Sequence, residues 1–248
     1  MKQGIRHLIS ANAKAGHKMV AWLIDPDSFD PESIFPLSEA TDIDLIFVGG
    51  SLLSKGDLKT TVAIIKQKYP IPVVLFPGSI QQISSSADAI LNLSLISGRN
   101  PEFLIGQHVL AAPMLKASGL EILPTGYILV DSGRQTTASY ISGTTPVPHD
   151  KSDIAICTAM AGEMLGLQLI YLDGGSGAQK TISEQMISGV KKNISVPLIV
   201  GGGIREVSDA VKICKAGADV IVIGNAAQEN PELIRLISKA VHSIPLLQ

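Results

Sequence analysis

Eight short runs of aliphatic and β-branched residues recur along this chain of 248 residues, at positions 19–24, 45–48, 73–76, 89–93, 126–130, 168–172, 198–200 and 220–223. Between them lie segments with helical periodicity, clearest at 57–68, 102–116, 154–165, 181–192, 207–216 and 232–241. Short uninterrupted apolar runs suit a sheet covered on both faces, and a helix between strands returns the chain so that the next strand lies parallel. Eight such units in about 250 residues predict an α/β fold, a (β/α)8 TIM barrel forming a single domain over 1–248. Hydrophobic residues make up 46% of the chain and charged ones 17%, enough apolar surface for such a core. Gly217 follows the 207–216 pattern where a left-handed C-terminal residue is wanted, and Pro231 opens the last helix at a position that needs no N–H.

Barrel enzymes gather their chemistry on the loops after the strands, so residues at strand ends form one constellation however distant in sequence. Strand one ends in Asp25-Pro26-Asp27, strand two in Gly49-Gly50-Ser51 and strand three in Phe76-Pro77-Gly78-Ser79. The last three strands end in glycine-rich turns: Asp173-Gly174-Gly175-Ser176-Gly177-Ala178, then Gly201-Gly202-Gly203, then Gly224-Asn225. Backbone N–H groups in such turns cradle phosphate, although each helix-end contact contributes only about 0.3–1 kcal/mol, so several must converge. Glycine also serves tight turns that bind nothing; three successive glycine-rich strand ends favour the anion site.

Asp173, between an apolar strand and a phosphate turn, is the candidate general base, with helix capping as the competing role. Tyr171 faces the same side by the two-residue period and is placed to hydrogen-bond the same substrate, or else packs in the core. Asp25 supplies the hard oxygen that Mg2+ prefers, and Ser51 offers a second from the neighbouring strand end. Asp27 either joins that set or caps the segment starting near Asp30. The polar stretch 131–151, rich in Ser, Thr, Gly and Pro, follows strand five and is expected either to cover the mouth or to be idle surface.

Several classes are disfavoured. The formal net charge of −2, the lack of a basic run and only ten aromatic residues argue against a nucleic-acid surface. His149, beside Asp150 in the long polar stretch, is expected to be solvated rather than catalytic; His7, His17, His108 and His242 share no metal-ligand spacing, no zinc site is expected, and no Gly-x-Ser-x-Gly elbow announces a serine nucleophile. Cys157 and Cys214 lie in helical patterns and read as buried, reduced thiols. The first fifteen residues lack a signal-peptide core, and no apolar run approaches the roughly 18 residues of a membrane span; the expectation is a cytoplasmic protein with at most transient membrane contact.

In order along nearly the whole chain, Leu23-Ile24-Asp25-Pro26-Asp27, Val48-Gly49-Gly50-Ser51, Phe76-Pro77-Gly78-Ser79, the 171–178 segment, Gly201-Gly202-Gly203-Ile204-Arg205 and Gly224-Asn225 resemble the geranylgeranylglyceryl phosphate synthase family, which includes bacterial heptaprenylglyceryl phosphate synthases. The Tyr-Leu-x-x-Gly-Ser-Gly-Ala segment is the most specific piece. The resemblance implies a prenyltransferase joining the C3 hydroxyl of sn-glycerol 1-phosphate to C1 of a long prenyl diphosphate with Mg2+, geranylgeranyl favoured over heptaprenyl. It implies that Tyr171, Leu172, Asp173, Gly174, Gly175, Ser176, Gly177, Gly202, Gly203, Gly224 and Asn225 hold glycerol phosphate. Asp25 and Ser51 would hold the metal, and the protein would be a homo-oligomer, dimer or hexamer. Many members carry glutamate where this chain has Asp173, a change of about 1 Å in carboxylate reach that costs on the order of 10²-fold if uncompensated. The chain lacks the paired aspartate-rich motifs of chain-elongating enzymes, so it should consume a prenyl diphosphate. Two other readings compete: a phosphosugar isomerase-type barrel, which would need a second acid or base opposite Asp173, and a noncatalytic phosphate-ligand sensor.

Overall fold

The computed structural model describes residues 4–34 and 42–246. Eight parallel strands close into a barrel in sequence order: β1 (Met19–Ile24), β2 (Leu45–Val48), β3 (Val73–Leu75), β4 (Ala89–Leu95), β5 (Glu121–Leu129), β6 (Leu169–Asp173), β7 (Leu198–Gly201) and β8 (Val220–Ile223). The ring closes where Met19 to Trp22 pair with Val220 to Ile223. Around it lie α1 (Ile5–Ala15), α2 (Pro31–Ile34), α3 (Leu58–Lys68), α4 (Gln107–Ser118), α5 (Thr137–Ser142), α6 (Ser152–Met164), α7 (Glu184–Asn193), α8 (Val207–Ala216), α9 (Asn225–Glu229) and α10 (Pro231–His242). Among the described residues no helix is long and apolar enough to cross a membrane.

Strand parity divides the core in two. Ala21, Phe47, Val74, Leu91, Tyr127, Tyr171, Ile199 and Val222 fill the barrel interior, and their neighbours Trp22, Ile46, Val73, Ile90, Ile128, Ile170, Val200 and Ile221 pack outward against the helices. The interior is sealed below by α1, whose Ile5 and Ile9 join the inner cluster. The Glu121 carboxylate accepts from the N–H groups of Ile5 at 2.5 Å and Arg6 at 3.0 Å, placing negative charge at the helix start.

The lower rim follows a repeated device. Asp44, Asp88 and Asp219 each immediately precede a strand, and each accepts the N–H of a neighbouring strand: Val20 at 2.7 Å, Val73 at 2.9 Å and Leu198 at 2.8 Å. Each also meets a cationic or ionisable side chain, His242, Lys66 and Lys191 respectively. Asp44 beside His242 raises that imidazole's pKa.

Three expectations need correction. Strand five starts at Glu121 rather than 126, running through Pro124. The 102–116 pattern splits into a π-helical turn, Glu102–Gly106, and α4, which runs on to Ser118 despite Pro113. Cys157 is exposed, because α6 buries its small residues Ala155, Ala159 and Gly162 instead; Cys214 is buried, its thiol pKa pushed up to about 12 by burial.

Asp219 is 2% exposed and holds both Lys191 and the Leu198 N–H. Removing the carboxylate strands those partners, so Asp219→Ala should lower unfolding free energy by about 3 kcal/mol in urea titration while activity per folded molecule is retained, since the site lies at the opposite end.

Candidate active site at the carboxyl ends of the strands

The turns after β6 and β7 are shaped by backbone, not side chains. Gly175, Gly177, Gly202 and Gly203 adopt φ of +79°, +74°, +90° and +75°, and a Cβ on Gly202 would lie 2.9 Å from the backbone nitrogens of Gly174 and Gly175. The N–H groups of Ser176, Gly177, Gly202 and Gly203 find no protein acceptor among the described residues. All four residues line a cavity of about 1350 Å3, open space included, at the barrel mouth. Gly224 and Asn225 line it too, and the Asn225 amide donates to Ser176 Oγ at 3.3 Å. Unpaired N–H groups converging on one cavity are what an anion requires.

Beside this cage stands Asp173, 6% exposed. Its carboxylate accepts the Tyr127 hydroxyl and, at 2.7 Å, the Gly175 N–H. Burial raises the Asp173 pKa from its ordinary value, and the two hydrogen bonds pull it part of the way back. Tyr171 lies on the same inward side, stacked on Phe76 with centroids 5.4 Å apart, and Tyr127 meets both rings edge-on. Gly201 makes room for it, since a Cβ there would fall 2.5 Å from the Tyr171 hydroxyl. Two of the expected substrate residues sit elsewhere: Leu172 points outward into the helix layer, as parity demands, and Gly174 supports the turn by donating to the Gly201 carbonyl at 3.0 Å without lining the mouth.

Asp25 and Ser51 line the same cavity at the ends of β1 and β2, across the closed ring from β5 and β6. Asp25 Oδ1 accepts the Asp27 N–H at 3.0 Å, and Oδ2 has no partner among the described residues. Gly50 leaves that oxygen approachable, for a Cβ there would sit 3.3 Å from it. Burial raises the Asp25 pKa, which a cation would reverse. The described residues contain no cluster of three or more His, Cys, Asp or Glu that could hold a metal ion. One half-buried carboxylate oxygen and one hydroxyl therefore fit Mg2+ only with oxygens from a bound substrate, the usual way Mg2+ is shared with phosphates. Asp27 does neither job expected of it. It accepts from Ser54 N and Oγ, Lys55 N and Gly56 N at 2.6–3.1 Å, which drives its pKa well down and pins the loop that carries Ser51.

A second cavity, about 900 Å3 with open space included, runs between β3, β4 and α4 and is lined by Ile80, Ile83, Leu91, Leu93, Phe103 and Ala111 among others. Gly50, Ser51, Phe76, Tyr127 and Ala138 border both cavities, so the polar mouth and the apolar slot share a wall. The 131–151 stretch contributes Ala138 and Arg134 but is no simple flap. It contains α5, closed by a Thr136–Ser139 capping box and by Gly143 at φ +59°, and Val147 bridges Val130. His149, expected to be solvated, meets the Thr181 carbonyl at 3.0 Å. Tyr127 and Arg134 escaped the sequence reading; an inward-parity tyrosine near the top of a strand was the signal for the first.

A model of the PcrB family matches residues 15–241. A curated geranylgeranylglyceryl phosphate synthase from Chitinophaga pinensis is 56% identical over 231 residues, 92% of each chain. Among solved structures, wild-type GGGPS from Thermoplasma volcanium superposes with a TM-score of 0.90 at 36% identity, covering 99% of this chain and all (100%) of that one. (S)-3-O-geranylgeranylglyceryl phosphate synthase from Thermoplasma acidophilum, in complex with its substrate sn-glycerol-1-phosphate, gives 0.89 at 30% identity, covering 98% and 100%. Matched by the family model over residues 15–241 and by a relative 56% identical over 92% of each chain, the chain belongs to the PcrB family.

Proposed function

We propose that the protein is a prenyltransferase that joins sn-glycerol 1-phosphate to geranylgeranyl diphosphate through an ether bond, releasing pyrophosphate, with Mg2+ as cofactor. The observation that carries this reading is the shared wall. A cage of free N–H groups opens directly onto an apolar slot, and Tyr127, which borders both, holds the Asp173 carboxylate on the polar side of the junction. A substrate pair with one anionic polar member and one hydrocarbon-tailed member fits that arrangement. A phosphosugar isomerase would have no use for the slot.

In the proposed reaction the N–H groups of Ser176, Gly177, Gly202 and Gly203 hold the phosphate, which directs the C3 hydroxyl toward Asp173. The tail lies along β3, β4 and α4. The hydroxyl oxygen bonds to C1 of the donor as the bond from C1 to the diphosphate oxygen breaks, and the hydroxyl proton passes to the Asp173 carboxylate. The ring of Phe76, which borders both cavities, is suited to stabilise the positive charge that develops on the allylic carbon. Asp25 and Ser51 would hold Mg2+, which neutralises the departing pyrophosphate. The Tyr127 hydrogen bond favours the ionised form of Asp173 and aims it, the positioning that a shorter aspartate needs in place of glutamate.

The direct test is radiolabel transfer from a ladder of prenyl diphosphates to sn-glycerol 1-phosphate, with and without Mg2+. An extractable ether product, best with the geranylgeranyl donor, is expected. Asp173→Asn should lower kcat by about 10²–10⁴-fold and Asp25→Asn should raise the Mg2+ concentration needed. No product with any donor would overturn the reading; best turnover with heptaprenyl diphosphate would reassign the donor.

Asp173 must be ionised to accept a proton, and its pKa is raised by burial. The acid limb of kcat/KM should therefore be shifted upward from that of an ordinary aspartate, activity falling as pH drops through it. The Tyr127 hydrogen bond favours the ionised form, so Tyr127→Phe should move that limb to higher pH. Titration of glycerol phosphate itself is common to both enzymes, so the difference between the two profiles isolates Asp173; coincident limbs would remove it as the base.

A further inference from the structure

Two cationic side chains line the mouth among the described residues, Arg134 and Arg205, and they are held very differently. Arg205 is anchored, donating from Nη2 to the Ala178 carbonyl at 2.9 Å. Arg134 makes no hydrogen bond or ion pair with any described residue, although the loop beneath it is fixed at many points. The Gly133 N–H donates to Asp131 Oδ1 at 2.9 Å, so the nearest acid on the loop is turned toward backbone. The Ser132 carbonyl accepts from the N–H groups of Gln179 and Lys180, both at 3.1 Å, and the Asp131 N–H donates to Val147 at 2.8 Å. Thr136, two residues on, is the buried cap of α5.

The position of the guanidinium is as telling as its freedom. It lies over the α-carbon of Gly177, where a Cβ would come within 3.4 Å of Nη1 and 3.5 Å of Cζ. Gly177 has one of the free N–H groups of the cage, at a left-handed φ of +74°. The five N–H donors of a free guanidinium therefore stand beside the anion site, on a loop whose ordering cost is already met by the fold.

We infer that Arg134 is a phosphate-binding and specificity residue for the acceptor substrate, closing over the glycine cage from β5 and taking the phosphate of glycerol phosphate in a bidentate grip. It serves that anion and not the diphosphate of the donor, because it sits over Gly177 whereas Asp25 and Ser51 stand at the ends of β1 and β2, across the closed ring from β5 and β6. The inference rests on the acceptor assigned under the proposed function. It adds a binding residue on the 131–151 stretch, which reaches the site through a free side chain on a fixed loop.

Steady-state kinetics with Arg134→Gln and Arg134→Lys test it, with thermal midpoints to show that this exposed position leaves folding intact. Loss of charge-assisted hydrogen bonds to the phosphate should raise the KM for sn-glycerol 1-phosphate by about 10–100-fold in the glutamine variant, leaving the KM for geranylgeranyl diphosphate within about 3-fold. Lysine, a point charge without the planar fork, should recover part of the loss. An unchanged glycerol phosphate KM, or a rise confined to the prenyl donor, would overturn the assignment. Calorimetric titration with inorganic phosphate separates this from the reaction itself. If wild-type protein makes no ether product but binds phosphate at least 10-fold more tightly than Arg134→Gln, the functional reading falls and the anion site stands; equal binding overturns the site.

Discussion

A carboxylate carried out of water at the top of an apolar barrel is the constraint around which the mouth is arranged. Asp173 is buried among aromatic rings, a setting that raises its pKa and penalises its charge. Two donors, the Tyr127 hydroxyl and the Gly175 N–H, recover part of that penalty, and each imposes a further requirement. Tyr127 must be on β5 with inward parity, so β5 and β6 must pair in the register that sets Tyr127 opposite Tyr171. Gly175 must turn left-handed after the strand, where a Cβ would strike Thr136 at 2.8–3.0 Å. The cage of unpaired N–H groups follows from the same turn, because the residues that free the chain from the sheet leave N–H groups without strand partners.

The two cavities follow from barrel geometry in the same way. Inner-layer side chains fill the barrel up to Phe76, Tyr127 and Tyr171, and above that floor the loops diverge. On one side they are short and glycine-rich, giving a polar mouth. On the other, α4 with its preceding π-helical turn stands off β4 and leaves an apolar slot. A hydrocarbon tail in that slot, as the proposed function requires, would lose contact with water, worth about 0.8 kcal/mol per buried methylene, with its charged end in the mouth. Loop positions on the near side are locked by side chains such as Asp27 and Gln82, the latter pairing with both the N–H and the carbonyl of Gly50.

Most of the architecture was legible because strand parity and glycine placement are local signals. The runs at 19–24, 45–48 and 220–223 coincide with β1, β2 and β8, and the glycine turns after β6 and β7 have the free N–H groups their composition implied. What was not legible depends on contacts between distant segments. The start of β5 was hidden by Pro124, which sheet propensity disfavours and barrel pairing with Asn92 tolerates. Helix α5 is six residues long, too short for periodicity, though Thr136, Ser139 and Gly143 mark its ends. The Tyr127–Asp173 contact joins residues 46 apart, and nothing near either one announces the other. Asp27 looked like a metal ligand beside Asp25 because sequence cannot show that the 54–56 loop folds over it.

The central claim is that acceptor and donor meet at the wall shared by two cavities, beside the Asp173 carboxylate that Tyr127 holds there. A crystal structure of the protein with sn-glycerol 1-phosphate and a non-reactive thio analogue of geranylgeranyl diphosphate measures this directly. The predicted result places the phosphate on the N–H groups of Ser176, Gly177, Gly202 and Gly203, the C3 hydroxyl within hydrogen-bond reach of Asp173, and the tail between β4 and α4. A tail lying outside that slot, or a C3 hydroxyl turned away from Asp173 while both ligands are bound, would contradict it.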